Sequence, residues 1–127
     1  MHRIAIDFSR RADVPATFLL DDPVQSGRAV DLLLDCARAC ADGAADMETG
    51  RSAIEPERLR LMLACAETCR AAAHVMILGV PHHRELCEAA AGLCEACVAA
   101  SDADDDADEC AAACRACAEA CRNLAVH

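Results

Sequence analysis

Four cysteines follow one another at spacings of four, three and four residues in the stretch Cys110-Ala-Ala-Ala-Cys114-Arg-Ala-Cys117-Ala-Glu-Ala-Cys121. On an α-helix, at about 100° and about 1.5 Å per residue, these thiols fall in a stripe roughly 60° wide and about 16 Å long. The residues between them are alanine, arginine and glutamate, which favour helix, and no glycine or proline interrupts them. The stretch therefore predicts a helix with one face made of sulfur.

Three earlier segments repeat this pattern, and glycine and proline mark where each one stops. The sequence predicts four helices, with bounds near Pro23–Gln25 to Gly43–Thr49, Pro56 to Leu78, Pro81 to Ala100, and the acidic run 102–109 to Leu124. Helices joined by short connections favour antiparallel neighbours. We therefore predict an all-α fold, an antiparallel up-down-up-down four-helix bundle with cysteines lining its core. Residues 24–127 form the bundle, and residues 1–23 form an N-terminal arm to which we assign no structure.

Cysteine is the residue that the predicted inner faces share. Eleven cysteines are too many to be explained as small core residues, so all are candidate metal ligands: Cys36, Cys40, Cys65, Cys69, Cys87, Cys94, Cys97, Cys110, Cys114, Cys117 and Cys121. Extending the stripes by one or two turns reaches every methionine after Met1 and one histidine, namely Met47, Met62, Met76 and His83.

Methionine at such positions either fills gaps in a core or binds a soft metal, and both alternatives stay open. His82 and His83 directly follow Pro81 at a junction between a loop and a helix, where exposure to solvent is slightly favoured over metal binding. Together with the three methionines, these histidines are candidate metal-entry or auxiliary ligands. His74 lies off the stripe and is expected not to bind metal.

Composition and charge narrow the class of protein. The formal net charge is −10, which opposes binding to nucleic acid or to anionic membranes. The N-terminal sequence lacks the continuous apolar segment of a signal peptide or membrane span, so we expect a cytoplasmic protein. Disulfides are rare in the cytosol, and the odd number of cysteines, eleven, fits a disulfide framework poorly. The cysteines therefore indicate metal binding or thiol chemistry.

Charge and softness then favour one metal. Thiolates select Cu(I), zinc and iron–sulfur clusters. Zn²⁺ held by four thiolates leaves a charge of −2, which is costly to bury, whereas one Cu(I) per thiolate leaves a nearly neutral core. We therefore predict several Cu(I) ions per chain, linked by bridging thiolates. Binding must expel protons, so the metal-free core is expected to hold neutral thiols.

Two other classes of protein remain as alternatives. Cys94-x2-Cys97 and Cys114-x2-Cys117 are separated by sixteen residues, which matches the spacing of a structural zinc site with four cysteines. Against zinc, both pairs lie in helical sequence and seven cysteines stay unexplained. The same pairs could serve a thiol redox protein, but such motifs normally open a helix, where the dipole lowers a thiol pKa. Apart from this alternative, we expect a metal-binding protein and not an enzyme.

The pattern resembles the bacterial copper storage protein family. The likeness covers about residues 30–125 and is carried by Cys65 to Cys69, Met76-Ile-Leu-Gly79-Val-Pro81, Arg84-Glu-Leu-Cys87, Cys94-Glu-Ala-Cys97 and Cys110 to Cys121. The resemblance, together with the expected lack of a leader, implies a cytosolic homo-tetramer of bundles that stores Cu(I). It also implies that copper enters at the end of the bundle marked by Met76, His82 and His83.

The chain departs from denser members of that family. Leu33, Met62, Ala90 and Ser101 stand where a further cysteine would be plausible. The first helix keeps only Cys36 and Cys40. We therefore expect a lower capacity, with the shortfall beside the first half of the first helix.

Overall fold

The computed structural model describes residues 23–51, 53, 55–101 and 108–125. Within these ranges it contains four helices and no strand: α1 (Pro23–Glu48), α2 (Pro56–Leu78), α3 (His83–Ala100) and α4 (Glu109–Ala125). The all-α prediction of four helices is confirmed. The predicted N-terminal arm lies outside the described residues except for Pro23, which opens α1.

Two glycines end the first two helices, as their positions in the sequence predict. Gly50 follows α1 with φ +79°, and its N–H donates to the carbonyl of Met47 at 3.2 Å. Gly79 ends α2 with φ +74°, and its N–H donates to the carbonyl of Met76 at 3.0 Å. This left-handed backbone costs glycine little because it has no Cβ, and it satisfies carbonyls that the helix leaves open. The chain therefore turns sharply at both sites.

The starts of α3 and α4 are set by the residues just before them. α3 begins at His83 rather than at the predicted Pro81, because residues 81 and 82 form a turn that brings the His83 N–H to the carbonyl of Val80 at 3.2 Å. Asp108 precedes α4, and its Oδ1 accepts the N–H of Ala111 at 2.9 Å. A carboxylate that accepts a first-turn N–H caps the helix and complements its dipole.

The four helices form a ring in which each packs against two neighbours, in the order α1, α2, α3, α4 and back to α1. Sulfur contacts fix the directions. Cys36 approaches Cys114 at 3.6 Å, whereas Cys40, one turn further along α1, approaches Cys110, one turn earlier in α4. α1 and α4 therefore run in opposite directions.

The same comparison gives the direction of α3 against α2. Cys69 lies 3.7 Å from Cys94, and Met76 near the end of α2 lies 3.6 Å from Cys87 near the start of α3. These two helices are also antiparallel, which fits the short connections.

The core of the bundle is built almost entirely from alanine and cysteine. Among the described buried residues, only five have side chains larger than cysteine: Leu33, Met47, Met62, His83 and Leu124. Small side chains let helices approach closely, and packing rather than aromatic bulk then excludes water. A narrow core of this kind brings thiols from all four helices to one axis.

α2 is long and apolar enough to cross a membrane by length and composition. Six of its residues are nevertheless buried in the bundle: Met62, Cys65, Ala66, Cys69, Ala72 and Ala73. Its apolar composition is accounted for by its place in the core.

Candidate metal centre

All eleven cysteines are buried free thiols, and none is more than 5% exposed. The sequence predicted that they line the interior, and the structure places every one of them there. Their sulfur atoms are close enough to contact one another across helices. We call the column formed by these eleven cysteines the sulfur ladder.

Three groups of four thiols form the middle of the sulfur ladder. In each group the sulfur atoms all lie within 4.8 Å of one another. Each group takes one cysteine from each helix: Cys36, Cys65, Cys94 and Cys114; Cys36, Cys69, Cys94 and Cys117; and Cys40, Cys65, Cys97 and Cys114. The groups are therefore made by the tertiary fold and not by any single motif.

The separations between sulfurs suit a shared metal ion. A metal–sulfur bond of about 2.3 Å, at trigonal or tetrahedral angles, places two sulfurs about 3.8–4.0 Å apart. Cys36 lies 3.6 Å from Cys94 and 4.0 Å from Cys65. Cys65 lies 3.9 Å from Cys114. Soft thiolate ligands could therefore close around a metal with little movement of the helices.

The three groups overlap. Cys36, Cys65, Cys94 and Cys114 each belong to two of them. A thiolate that faces two metal positions can bridge them, so neighbouring sites share ligands instead of standing alone. The arrangement fits a row of ions better than one isolated ion.

The ladder continues toward the end of the bundle where α2 stops and α3 starts, which we call the histidine end. The Cys87 thiol contacts the Met76 sulfur at 3.6 Å, and the Cys121 thiol is hydrogen-bonded with both Cys87 and Cys117. α1 contributes no cysteine before Cys36, and Leu33, three residues earlier on the same helix, is fully buried. Sulfur is thus sparser beside the first half of α1, where the sequence predicts the shortfall.

At the opposite end, which we call the glycine end after Gly43, the last thiols of the ladder meet. The sulfurs of Cys40 and Cys110 lie 2.8 Å apart, and Cys110 is also hydrogen-bonded with Cys97. Met62 and Met47 are buried beside them, at 2% and 3% exposure. The sequence predicted that both methionines lie in line with the cysteines, and the structure places them at this end.

The two histidines at the start of α3 differ in their exposure to solvent. His82 is exposed, as expected for a residue after Pro81. For His83 the expectation of solvent exposure is wrong, because it is the first residue of α3 and is only 2% exposed. Its Nδ1 lies 2.9 Å from the Val80 carbonyl, which can only accept a hydrogen bond. Nδ1 therefore carries a proton, and Nε2 is the ring nitrogen that could bind a metal. His74 is exposed, which fits its predicted place off the stripe.

Hydrogen bonds between thiols lower the pKa of some cysteines in the sulfur ladder and raise the pKa of others. A hydrogen bond with Cys114 is the main cause that lowers the pKa of Cys36, to about 6, and it also lowers the pKa of Cys65 and Cys110. Cys114 itself has a raised pKa, mainly through its hydrogen bond with Cys110. Hydrogen bonds with neighbouring thiols and burial also raise the pKa of Cys40, Cys69, Cys97 and Cys117. Most shifted thiols thus hold their protons in the metal-free core.

The zinc arrangement suggested by the two Cys-x2-Cys pairs is not assembled. Each of the three groups contains one member of each pair and never both. Residues three apart on a helix are separated by about 4.5 Å along its axis. The two cysteines of a pair therefore serve successive levels of the ladder.

A helical bundle whose axis is lined by free thiols from all four helices defines a protein that sequesters soft metal ions in its interior. Comparison with family models matches the copper storage protein family over residues 22–126. This match spans most of the chain, so the protein belongs to the copper storage protein family, and copper is the metal that the family assigns to such a core.

One solved structure supports the assignment of the fold. The chain is similar to a protein from Nitrosospira multiformis, whose crystal structure was determined by a structural genomics consortium, with a TM-score of 0.76 and 30% sequence identity. The likeness covers 83% of this chain and 98% of the other chain. A comparison with curated protein sequences finds no match.

Proposed function

We propose that the protein stores several copper ions per chain as Cu(I), bound by thiolates of the sulfur ladder. The observation that supports this most is the overlap of the three four-thiol groups, in which four cysteines are each shared by two groups. Shared ligands allow many ions to be packed along one axis. The ion is cargo in this proposal, and no catalytic step is required of the chain.

Charge supports Cu(I) over a divalent ion. Buried thiolates are costly without a compensating charge. The chain has no lysine, and among the described residues no arginine is buried in the core to neutralise them. One monovalent ion per thiolate removes this cost, and the proton that each thiol releases leaves for the solvent.

Anaerobic titration of the reduced protein with Cu(I), in competition with a chromophoric Cu(I) chelator, tests this proposal. We expect several ions per chain to bind before the chelator competes, with metal analysis giving a plateau near the number of thiols. A plateau at one or two ions per chain would contradict storage in a continuous ladder.

The same titration with Zn²⁺ and with oxidised glutathione addresses the other two classes. A structural zinc protein would bind one or two Zn²⁺ more tightly than it binds a series of Cu(I) ions. A thiol redox protein would form mixed disulfides rapidly. Complete burial of Cys94 and 3% exposure of Cys97 oppose rapid attack on a disulfide from solvent.

At the histidine end we propose that Met76 and His83 act as auxiliary ligands. The Met76 sulfur already contacts the Cys87 thiol, and the His83 ring is buried at the same end with its Nδ1 at the Val80 carbonyl. Thioether and imidazole bind Cu(I) without losing a proton, so they can pass the ion to the thiols below. The exposed His82 would then serve, at most, to attract copper to this end.

We also propose that the protein is cytoplasmic and forms a homo-tetramer, as its resemblance to the cytosolic branch of the family implies. Ile77 and Leu78 at the end of α2 are 62% and 73% exposed, which suits a contact with another copy. Analytical ultracentrifugation with and without copper tests the tetramer, and a monomer at micromolar concentration would contradict it.

A further inference from the structure

The glycine end of the bundle carries an open cleft that is lined in part by sulfur-containing side chains. The cleft has a volume of about 410 Å³ and lies between α1, α2 and the start of α4. Met47, Met62 and Cys110 line it, and each of these side chains is otherwise buried. It therefore brings solvent close to two methionines and to a cysteine of the sulfur ladder.

The cleft leads into the ladder through Cys110. The Cys110 sulfur lies 2.8 Å from that of Cys40, which belongs to one of the three four-thiol groups. The sequence around Met47 and Met62 contains no histidine, so this end has a different donor set from the histidine end. Its donors are thioethers outside and thiols inside.

Gly43 makes room for this donor set. A Cβ at position 43 would lie 2.2 Å from the Met62 Cε, 3.9 Å from the Met62 Sδ and 3.9 Å from the Cys110 Cβ. Alanine at this place would therefore push the end of the Met62 side chain out of its position. Helix propensity favours alanine over glycine inside α1, so the glycine is explained by space and not by the needs of the helix. The thioether of Met62 and the side chain of Cys110 both face the space that Gly43 leaves.

The rim of the cleft is negative. Asp42, Asp46, Asp108 and Glu109 line it together with one cation, Arg58. Arg58 is ion-paired with Asp108, and the two aspartates of α1 have outward ion pairs of their own, Asp42 with Arg38 at 3.1 Å and Asp46 with Arg51 at 3.7 Å. The two ion pairs of α1 are exposed to solvent, and such pairs are weak and screened. The mouth therefore keeps a negative balance that favours cations over anions.

We propose that this cleft is a second Cu(I) site and a passage into the ladder, with Met47 and Met62 as the outer ligands and Cys110 as the first thiolate. The inference rests on the proposed function, since it concerns how the stored ion reaches the same core. Copper bound by the two thioethers exchanges them for the sulfur of Cys110 and then for that of Cys40. The bonds to methionine break as those to cysteine form, the thiol proton leaves through the cleft to water, and the copper stays Cu(I) throughout.

Substitutions that keep volume separate this passage from mere core packing. Met47→Leu with Met62→Leu removes both thioether donors and retains apolar bulk. Gly43→Ala keeps the donors but displaces Met62. Gly92→Ala is the matched control, because Gly92 is also inside a helix and a Cβ there would meet nothing within 4 Å. Each of the three variants is made in two backgrounds: the native sequence, and the sequence with Met76→Leu and His83→Asn, which disable the histidine end. Stopped flow then measures Cu(I) uptake and Cu(I) release to a chelator for every protein.

We expect the methionine double variant and Gly43→Ala to slow uptake and release several-fold relative to Gly92→Ala, most clearly when the histidine end is disabled. Total capacity should fall by no more than the copper held at the methionines. Rates equal to those of Gly92→Ala in both backgrounds would overturn the passage. The capacity of the unsubstituted protein is read in the same experiment, so failure to store copper at all is distinguished from failure of this passage.

Discussion

Cys36 and Cys94 lie on helices that face each other diagonally across the bundle, yet their sulfur atoms are only 3.6 Å apart. A separation this short across the diagonal means that the core is one layer of small side chains thick. Alanines around the thiols, such as Ala37 and Ala90, allow this close approach. The interior is therefore a single column, and ions stored there would be stacked along one axis.

Loss of a shared thiol should cost more copper than loss of a terminal one. Cys36 belongs to two of the three four-thiol groups, whereas Cys87 belongs to none of them. We expect Cys36→Ser to lower the Cu(I) load by more than one ion per chain, because two groups each lose a ligand. Cys87→Ser should lower it by one ion or less. Metal analysis after anaerobic loading measures both, and equal losses would show that the sites do not share ligands.

Adding a thiol beside the first half of α1 should extend the ladder. Leu33 is fully buried in the part of the core where α1 contributes no cysteine. Leu33→Cys should raise the Cu(I) load by about one ion per chain, since position 33 is buried and three residues before Cys36, on the same face of α1. It should also destabilise the metal-free bundle by about 2 kcal/mol, because a smaller side chain leaves a cavity. Chemical denaturation measures this cost, and an unchanged copper load would place the histidine end outside the storage column.

The stability of the metal-free protein should fall at alkaline pH. The pKa of Cys121 is raised from 9.0 to about 12. The hydrogen bond with Cys117 lowers this pKa, but the hydrogen bond with Cys87 and burial together raise it by more. Between these two values the unfolded chain binds fewer protons than the folded chain, so the free energy of unfolding decreases as pH rises. The lowered pKa of Cys36, about 6, has the opposite effect on the free energy of unfolding. It contributes stability that is present above pH 9 and is lost as the pH falls toward 6.

We therefore expect the melting temperature of the reduced, metal-free protein to be highest near pH 9 and to drop by pH 11. The chain has no lysine and no tyrosine, so thiols are the side chains that titrate in this alkaline window. Copper-loaded protein is the control, since metal-bound thiolates have no proton to lose and its melting temperature should stay level. A metal-free protein whose melting temperature keeps rising between pH 9 and pH 11 would contradict the raised pKa values.

Replacing His83 by asparagine should distinguish the roles of its two ring nitrogens. In the native protein Nδ1 lies 2.9 Å from the Val80 carbonyl. The side-chain amide of His83→Asn can donate to the same carbonyl, but asparagine has no group at the place of Nε2. We expect this variant to keep most of its thermal stability and its total copper load, and to take up Cu(I) several-fold more slowly through the histidine end. His82→Asn is the matched control at an exposed neighbour and should leave the rate unchanged. If His82→Asn slows uptake and His83→Asn does not, the buried ring has a structural role.

The sequence by itself determined the four helices and their inner faces. Cysteines three and four residues apart can share a face only in a helix, and Gly50, Gly79 and Pro56 mark ends that depend on local backbone geometry. The metal class also followed from the sequence, because softness and charge belong to the side chains themselves. Local rules could reach this far because each of these features involves neighbours along the chain.

Only the tertiary structure decided which thiols meet. Each four-thiol group combines cysteines from four helices, so no spacing within one segment could show that Cys36 faces Cys94. The burial of His83 and the fit of Met62 into the space beside Gly43 are likewise set by packing between elements distant in sequence. Helical periodicity fixes which face a residue occupies, but the relative height and rotation of packed helices fix which residues on those faces touch.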